Sequence, residues 1–232
     1  MSEKRKIVFL TGAGVSAESG IKTFRDANGL WEGHDIYEVA SPQGFESNPE
    51  LVLDFYNQRR RQLREVQPNE GHKIIAKLEE SYEVIVITQN VDDLHERAGS
   101  SNVLHLHGEL RKVRSTEEES IVLERFDDVN LGDFCPMGSQ LRPHIVWFGE
   151  EVPLMDEAMD ITQEADVFVV VGTSLEVYPA ASLLHFVPKE SPVFIIDPNR
   201  HSDLNQGRIN VISKGGSEGM KDLTEILTSS SL

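Results

Sequence analysis

Six short apolar runs rich in β-branched residues punctuate the chain, at Ile7 to Leu10, Val84 to Thr88, Val103 to Leu106, Val167 to Val171, Val193 to Ile196 and Val211 to Ile212. Most are continuously apolar rather than alternating, which predicts strands buried on both faces. Stretches of helical character lie between several of them, and that alternation predicts an α/β fold with a mostly parallel sheet covered by helices. Two segments break the pattern. The first, residues 29–67, contains a helix with clear start signals: Asn48 as N-cap, Pro49 at the first helical position and Glu50 at the positive helix end. That helix is expected to run through Phe55 and Tyr56 to Glu65. The second, residues 108–142, is acidic and interrupted by Gly132, Pro136 and Gly138. Both are expected to be insertions that build a smaller lobe beside the sheet. The polar tail from Thr228 to Leu232 is expected to fray.

Composition narrows the class. The chain of 232 residues is 39% apolar and 26% charged, as expected of a soluble globular protein. Its apolar runs are far too short to span a bilayer, and the N-terminus lacks the long apolar core of a signal peptide, so a cytoplasmic location is expected. With 22 basic and 39 acidic residues the formal charge is −17. Such a chain repels nucleic-acid phosphates and anionic membranes, so neither is expected as a partner, whereas basic proteins are tolerated. The single cysteine, Cys135, excludes an intrachain disulfide and any four-cysteine metal site. A monomer is the default expectation.

The candidate chemistry gathers at strand ends. The first strand runs into Thr11-Gly12-Ala13-Gly14-Val15-Ser16-Ala17, a G-x-G-x-x-A turn leading into a helix. Glycines there let the backbone approach a pyrophosphate, and the helix start offers N–H groups. A tight glycine turn without ligand has the same spelling. The acidic residue that ends a second strand about 20 positions on in a dehydrogenase is missing. In its place a glycine-rich stretch from Thr23 to Trp31 reads as a mobile loop beside a cofactor. The next strand ends in Thr88-Gln89-Asn90-Val91-Asp92-Asp93-Leu94-His95, whose polar groups face the ligand crevice of a parallel sheet, although Asp92 or Asp93 could simply cap the following helix. The third ends in His105-Leu106-His107-Gly108-Glu109. His105 and His107 share a strand face, which would suit a metal pair, but no third ligand stands at helical spacing nearby. A neutral histidine is a natural general base. That role suits His107, and core hydrogen bonding suits His105.

The segments GAGVSAESGIKTFR, TQNVDDLH, HGEL, PHIVWFGE, GTSLEVYPA and GGSEG follow in this order, and with them the chain resembles the sirtuin family from end to end. The resemblance implies a large Rossmann-type domain with helices on both faces of its parallel sheet, here residues 1–28, 72–107 and 145–228. The small lobe formed by two insertions would be residues 29–71 and 108–144. It implies NAD as co-substrate, an acylated lysine of a protein or peptide as partner, and nicotinamide and O-acyl-ADP-ribose as products. Gly12, Ala13, Gly14, Ser16, Glu18, Thr23, Phe24, Arg25 and Trp31 would hold NAD and close over it, with Ala13, Phe24 and Arg25 nearest the reacting sugar. Gln89, Asn90 and Asp92 would bind the ribose and the nicotinamide amide; Asn90 and His107 would be catalytic, His107 as the base. Gly172, Thr173 and Ser174 would line the adenosine side, with Asp197 and Asn199 at the adenine ribose and Gly216 near adenine. Asp197 and Asn199 depart from the family's common Asn-x-Glu at that place. Val146, Phe148 and Gly149 would pair with an extended substrate backbone by strand addition.

Two further features concern the small lobe and the substrate. The family usually binds a structural zinc there with two C-x-x-C pairs. This chain has Ser115 and Thr116 near the first pair and Cys135-Pro136-Met137-Gly138 at the second, so one thiolate remains and no zinc is expected. The lobe is expected to pack on Ile121, Val122, Leu123, Phe126, Leu131 and Phe134 instead. The stretches Val39-Ala40-Ser41-Pro42 and Phe55-Tyr56-Asn57-Gln58-Arg59 resemble the subgroup that removes succinyl and malonyl groups. Tyr56 and Arg59 fall one turn apart on the predicted helix, and a guanidinium fork beside a phenol suits a carboxylate. Ala40 would leave room for the longer acyl chain. Without the resemblance, Arg59, Arg60, Arg61 and Arg64 read as a solvated basic face. Two other functions stay open: an NAD glycohydrolase or mono-ADP-ribosyltransferase, and a non-catalytic NAD-binding sensor, against which Asn90, Asp92 and His107 argue.

Overall fold

The computed structural model describes residues 4–22, 30–31, 33–199 and 207–229. The chain begins with β1 (Lys6–Thr11) and the short α1 (Ala13–Ala17). The first insertion follows, with β2 (Leu30–Trp31), β3 (His34–Asp35), α2 (Ile36–Val39), α3 (Pro42–Ser47) and α4 (Pro49–Glu65). Next come α5 (Glu70–Leu78), β4 (Glu83–Thr88), α6 (Leu94–Ala98) and β5 (Val103–His105). The second insertion contributes β6 (Gly108–Ser115), β7 (Val122–Glu124) and β8 (Leu141–Ile145). The remainder is α7 (Met155–Gln163), β9 (Val167–Val171), a 3-10 turn (Ala180–His185), β10 (Val193–Ile196), β11 (Ile209–Ile212) and α8 (Gly216–Ser229).

Six of these strands form one parallel sheet in the order β11-β10-β9-β1-β4-β5. The chain leaves β1 outward through β4 to β5, then returns to the other side of β1 with β9. The order therefore reverses at β1, and the carboxyl ends of β1, β4 and β9 border the crevice where open parallel sheets bind ligands. The continuous apolar runs are explained by burial on both faces. On one face Ile7, Phe9, Val86, Val169 and Phe194 pack against Ile75 of α5 and Met220, Leu223 and Leu227 of α8. On the other, Val8, Leu10, Ile87, Phe168 and Val170 pack against Ala158 of α7 and Ala180 and Leu183 of the 3-10 turn. Each large apolar side chain so buried contributes roughly 1.5–3 kcal/mol.

The helix of the first insertion forms with its expected cap: Asn48 Oδ1 accepts from Leu51 N at 3.1 Å, with Pro49 in the first turn. The second insertion departs from expectation. Its broken sequence folds as an antiparallel sheet, β7-β6-β8. Val122, Leu123, Phe126, Leu131 and Phe134, expected inside, lie on the surface, Phe134 with 60% of its area exposed. Without a regular period, apolar content does not reveal which side chains face inward. The core is built from Leu53 of α4 with Val113, Val129, Cys135 and Leu141, and of the expected set only Ile121 packs against it. Polar contacts complete the lobe. Asn57 pairs twice with the Val129 backbone, Nδ2 donating to the carbonyl at 2.9 Å and Oδ1 accepting from the N–H at 2.8 Å. The Gln140 side chain accepts from Gly132 N at 2.8 Å and donates to Asn130 O at 3.0 Å. Ser115 Oγ accepts from the N–H groups of Glu117 and Glu118 at 3.2 and 3.1 Å.

The arginines of α4 do not share one unpaired basic face: Arg61 and Arg64 are exposed but ion-paired, and Arg60 is buried. Arg60 is buried and donates to Leu110 O at 2.9 Å, Arg61 pairs with Asp128 at 2.8 Å, and Arg64 pairs with Asp127 at 3.0 Å. All three tie α4 to the second insertion. Arg59 is held differently: its Nη1 donates to Phe55 O within α4 and its guanidinium stacks 3.4 Å from the centre of the Phe55 ring.

Candidate active site

The glycine turn after β1 lies against the end of β9. Gly12 N donates to Val171 O at 3.1 Å and Gly14 N to Gly172 O at 2.8 Å. A Cβ on Gly14 would stand 2.7 Å from Gly172 Cα, so contact between two backbones already requires glycine there. The N–H groups of both glycines are spent inside the protein, which among the described residues leaves that of Ala13 for a ligand. Two side-chain contacts frame the turn: Gln89 Nε2 donates to Thr173 Oγ1 at 3.1 Å, and Glu18 Oε1 accepts from Ser217 N at 3.1 Å, next to buried Gly216. Ser174 follows Thr173 in the loop after β9. Farther out, Asp197 Oδ1 accepts from Asn199 N at 2.7 Å beyond β10. Thr23, Phe24 and Arg25 lie outside the described residues.

Beneath the turn is a buried polar network that the sequence reading had only in part. Asn90 Nδ2 donates to Gly12 O at 3.2 Å and to Ser16 Oγ at 3.1 Å, and Ser16 Oγ donates to Asp92 Oδ2 at 2.9 Å. The other Asp92 oxygen accepts from Leu94 N at 3.1 Å, so Asp92 supports the next helix and also faces the crevice. Burial pushes its carboxyl up to about 6. Two histidines complete the network: His95, which ends the TQNVDDLH run and was given no role there, and His72, absent from the sequence reading. His72 Nε2 stands 3.4 Å from Ser16 Oγ, and His95 Nε2 stands 3.0 Å from Thr11 Oγ1. Burial lowers His72 to about 4 and holds His95 well below the usual histidine range, so both are neutral. His72 could have been noticed because it occupies a place on the stripe of α5 that also carries Ile75 and Leu78.

The two strand-end histidines differ in what their second nitrogen meets. His105 Nδ1 lies 3.0 Å from Asn90 O and its Nε2 lies 2.6 Å from Glu96 Oε1. Both nitrogens face acceptors, so His105 is held as a structural group. His107 Nδ1 lies 3.1 Å from Gln89 O, which can only accept, so Nδ1 carries the proton and the Nε2 lone pair is left open among the described residues. Burial, opposed by that hydrogen bond, lowers the His107 pKa and keeps the ring neutral. The geometry suits a base.

The segment after β8 was expected to accept a strand through Val146, Phe148 and Gly149. Val146 N already donates to His107 O at 3.0 Å and Phe148 N to Ala40 O at 2.9 Å. An added strand would therefore meet the Val146 carbonyl rather than either of those N–H groups. Ala40 is buried at the end of α2. Arg59 lines a cavity together with Ile21, Lys22, Trp31, Leu63, Asp92 and Leu110. Tyr56, expected to share that spot, does not line it: the residue is fully buried and its hydroxyl accepts from Trp147 Nε1 at 2.9 Å. Residues at i and i+3 share a side of a helix, but Phe55 and Trp31 crowd this one and turn the phenol inward. Among the described residues no group of three or more His, Cys, Asp or Glu is placed to hold a metal ion, and Cys135 is packed in an apolar core, so the residues present do not fit the zinc site of the wider family.

Comparison with known proteins bears on this geometry. The profile of the Sir2 family matches residues 12–179. A protein of Helicobacter pylori named NAD-dependent protein deacylase is 56% identical over 219 residues, 94% of this chain and 96% of that protein. One of the same name from Bacteroides thetaiotaomicron is 51% identical over 230 residues, 96% of this chain and 98% of that protein. Among solved structures, a Sir2 homologue–NAD complex superposes with a TM-score of 0.85 at 41% identity, covering 98% of this chain and 91% of that one. A Sir2–p53 peptide–NAD⁺ complex superposes with a TM-score of 0.79 at 31% identity, covering 98% and 95%.

Proposed function

The chain belongs to the Sir2 family and is an NAD-dependent protein deacylase, and on that premise we propose that it prefers lysines whose acyl group ends in a carboxylate, as succinyl and malonyl groups do. The observation that carries this reading is the separation of Arg59 from the other arginines of α4. Arg60, Arg61 and Arg64 are tied to the second insertion, while Arg59 lies on Phe55 and lines a cavity with a second cation, Lys22. The apolar walls of that cavity, Ile21, Trp31, Leu63 and Leu110, suit the methylenes of the acyl chain.

NAD serves as co-substrate and supplies the electrophilic ribose carbon that accepts the acyl oxygen. In our reading the residues of this chain surround that reaction. Ala13 N–H and the amide oxygen of Asn90 face the cofactor side. Asp92, Ser16 and Asn90 hold one another, so the crevice presents fixed dipoles and needs little rearrangement. His107 Nε2 accepts a proton from a ribose hydroxyl while Gln89 O keeps the ring oriented. The Val146 carbonyl accepts from the substrate. The same reading takes the protein as a monomer that needs no zinc and works in the cytoplasm on acylated protein lysines. Its charge of −17 disfavours nucleic acid and anionic membrane, and no helix among the described residues is long and apolar enough to cross a bilayer.

The test is kcat/KM on peptides that differ only in the acyl group. Succinyl or malonyl peptides are expected to exceed acetyl, and Arg59→Met is expected to cost them about 10- to 100-fold, the equivalent of one charge-assisted hydrogen bond. A wild-type preference for acetyl, or an equal loss on all acyl groups, would sink the proposal. Nicotinamide release without peptide, run alongside, separates deacylation from NAD hydrolysis.

A further inference from the structure

Past the end of β4 the chain turns through Asn90, Val91 and Asp92, and its backbone is held from both sides. Asn90 N donates to Thr88 Oγ1 at 3.0 Å, and Leu110 N donates to Val91 O at 2.8 Å. Between these contacts the Asn90 carbonyl faces His105 Nδ1 at 3.0 Å. A carbonyl only accepts, so Nδ1 carries a proton. The other ring nitrogen, Nε2, lies 2.6 Å from Glu96 Oε1 on α6. A neutral imidazole has one N–H and cannot serve two acceptors, so a second proton sits on His105 or on Glu96. The Glu96 side chain is 40% exposed, so water stabilises its ionised form. Partial burial opposes that ionisation, but the bond with His105 outweighs it and holds the carboxyl below its usual range. Burial likewise opposes charge on His105, and Glu96, the Asn90 carbonyl and Glu109 outweigh it and raise its pKa. The ring is therefore an imidazolium that donates from both nitrogens. The other charged groups at this place have their own partners or add to the same field. His105 lines a cavity with Asp92, Asp93, Glu96, Glu109, Arg111 and Glu124. Arg111 Nε pairs with Asp93 at 2.8 Å and Lys112 Nζ with Glu109 at 2.5 Å, while His95, beside Glu96 on α6, is neutral.

We propose that His105 is a positioning residue for the NAD side of the crevice: its Nδ1–H fixes the peptide after Asn90, and with it the Asn90 amide under the glycine turn, while Glu96 takes the second ring proton and holds the ring at that angle. The inference rests on the reading that Asn90 faces the cofactor. Its physical basis is the rigidity of the peptide unit, which makes a rotation of the plane between Asn90 and Val91 redirect the chain on both sides. Asn90 Nδ2 must meet Gly12 O at 3.2 Å and Ser16 Oγ at 3.1 Å, and Asp92 Oδ2 must meet the same hydroxyl at 2.9 Å. A buried carbonyl that loses its donor is left unsatisfied and turns toward another. Misplacing a polar group at the reacting centre then lowers rate.

Two isosteres separate the ring nitrogens. The side-chain nitrogen of asparagine overlays Nδ1 and that of glutamine overlays Nε2. His105→Asn therefore keeps the bond to Asn90 O and gives up the one to Glu96, and His105→Gln does the reverse. Thermal melting of both variants verifies the fold. With an acetyl-lysine peptide, His105→Gln is expected to lower kcat about 5- to 20-fold with peptide KM nearly unchanged, and His105→Asn to stay within about threefold of wild type. Glu96→Gln should also stay within about threefold, because its amide donates to Nε2 and leaves the ring proton on Nδ1. In ¹⁵N-histidine spectra of wild type at low pH both His105 nitrogens should be protonated. Deprotonation should be centred above the usual value of about 6.5, and Glu96→Gln should move it downward. Wild-type kcat in His105→Gln, or a loss in His105→Asn or Glu96→Gln as large as that in His105→Gln, would overturn the inference alone. So would a bare nitrogen on wild-type His105 below the usual histidine value, a result that requires no variant to fold. Wild-type kcat in Asn90→Ala would overturn the reading of Asn90 and this inference with it.

Discussion

His107 shows how one hydrogen bond sets the role of a side chain. Its Nδ1 proton is directed to Gln89 O, so Nε2 is the basic nitrogen. His107→Ala is expected to lower deacylation by about 10²- to 10⁴-fold with NAD affinity largely retained. Kinetics and calorimetric titration of NAD check this, and turnover close to wild type would remove His107 from the mechanism. The pH dependence follows from the sign of the shift. A base works when neutral, and burial holds this one below the usual value of about 6.5. Activity should therefore be full at pH 7 and decline only as pH falls below the ordinary histidine range. Asp92, raised to about 6, ionises on the same limb, and Asp92→Asn separates the two. An acid limb centred at or above pH 7 would contradict this assignment. The strand-end histidine pair was legible in the chain, but the tautomer was not. The Gln89 carbonyl that decides it comes from a different strand.

At the scale of elements, α4 separates local from non-local information. Its limits follow from Asn48, Pro49 and Glu50, all adjacent in sequence, and the helix forms over the expected span. What its side chains do was not readable, because their partners lie 50 or more residues away: Arg60 with Leu110, Arg61 with Asp128, Asn57 with Val129. The Asn57 pair yields a test. Asn57→Ala leaves the buried N–H and carbonyl of Val129 without partners, and each unsatisfied group costs about 1–3 kcal/mol. Chemical denaturation should show a loss of at least about 1 kcal/mol. A midpoint equal to wild type would show that water replaces the amide and that the contact contributes little.

The whole molecule raises the question of how a small lobe holds together when one thiolate is present. Its answer lies in the Gln140 contacts, the Ser115 turn and the core around Cys135 and Val129, all internal to the chain. The purified protein is expected to contain no stoichiometric zinc, and a strong chelator should leave its melting temperature and activity unchanged. Elemental analysis and melting with and without chelator decide this. One bound zinc per chain, or unfolding on chelation, would mean that the lobe uses histidine or carboxylate ligands in an arrangement different from the one described.

The sequence by itself determined the class of the fold, the strands of the large sheet to within a residue or two and the turns that carry polar groups. Those features depend on neighbours in the chain: runs buried on both faces, caps, and glycines at strand ends. Tertiary structure alone decided that the second insertion is a sheet with its large apolar residues outside, since β6 pairs not only with its neighbour β7 but also with β8, which lies beyond the break at Gly132 to Gly138. It also decided that Tyr56 turns to Trp147 while Arg59 lines the cavity. Helical spacing places two side chains on one face, but the neighbours packed against that face determine where each one points.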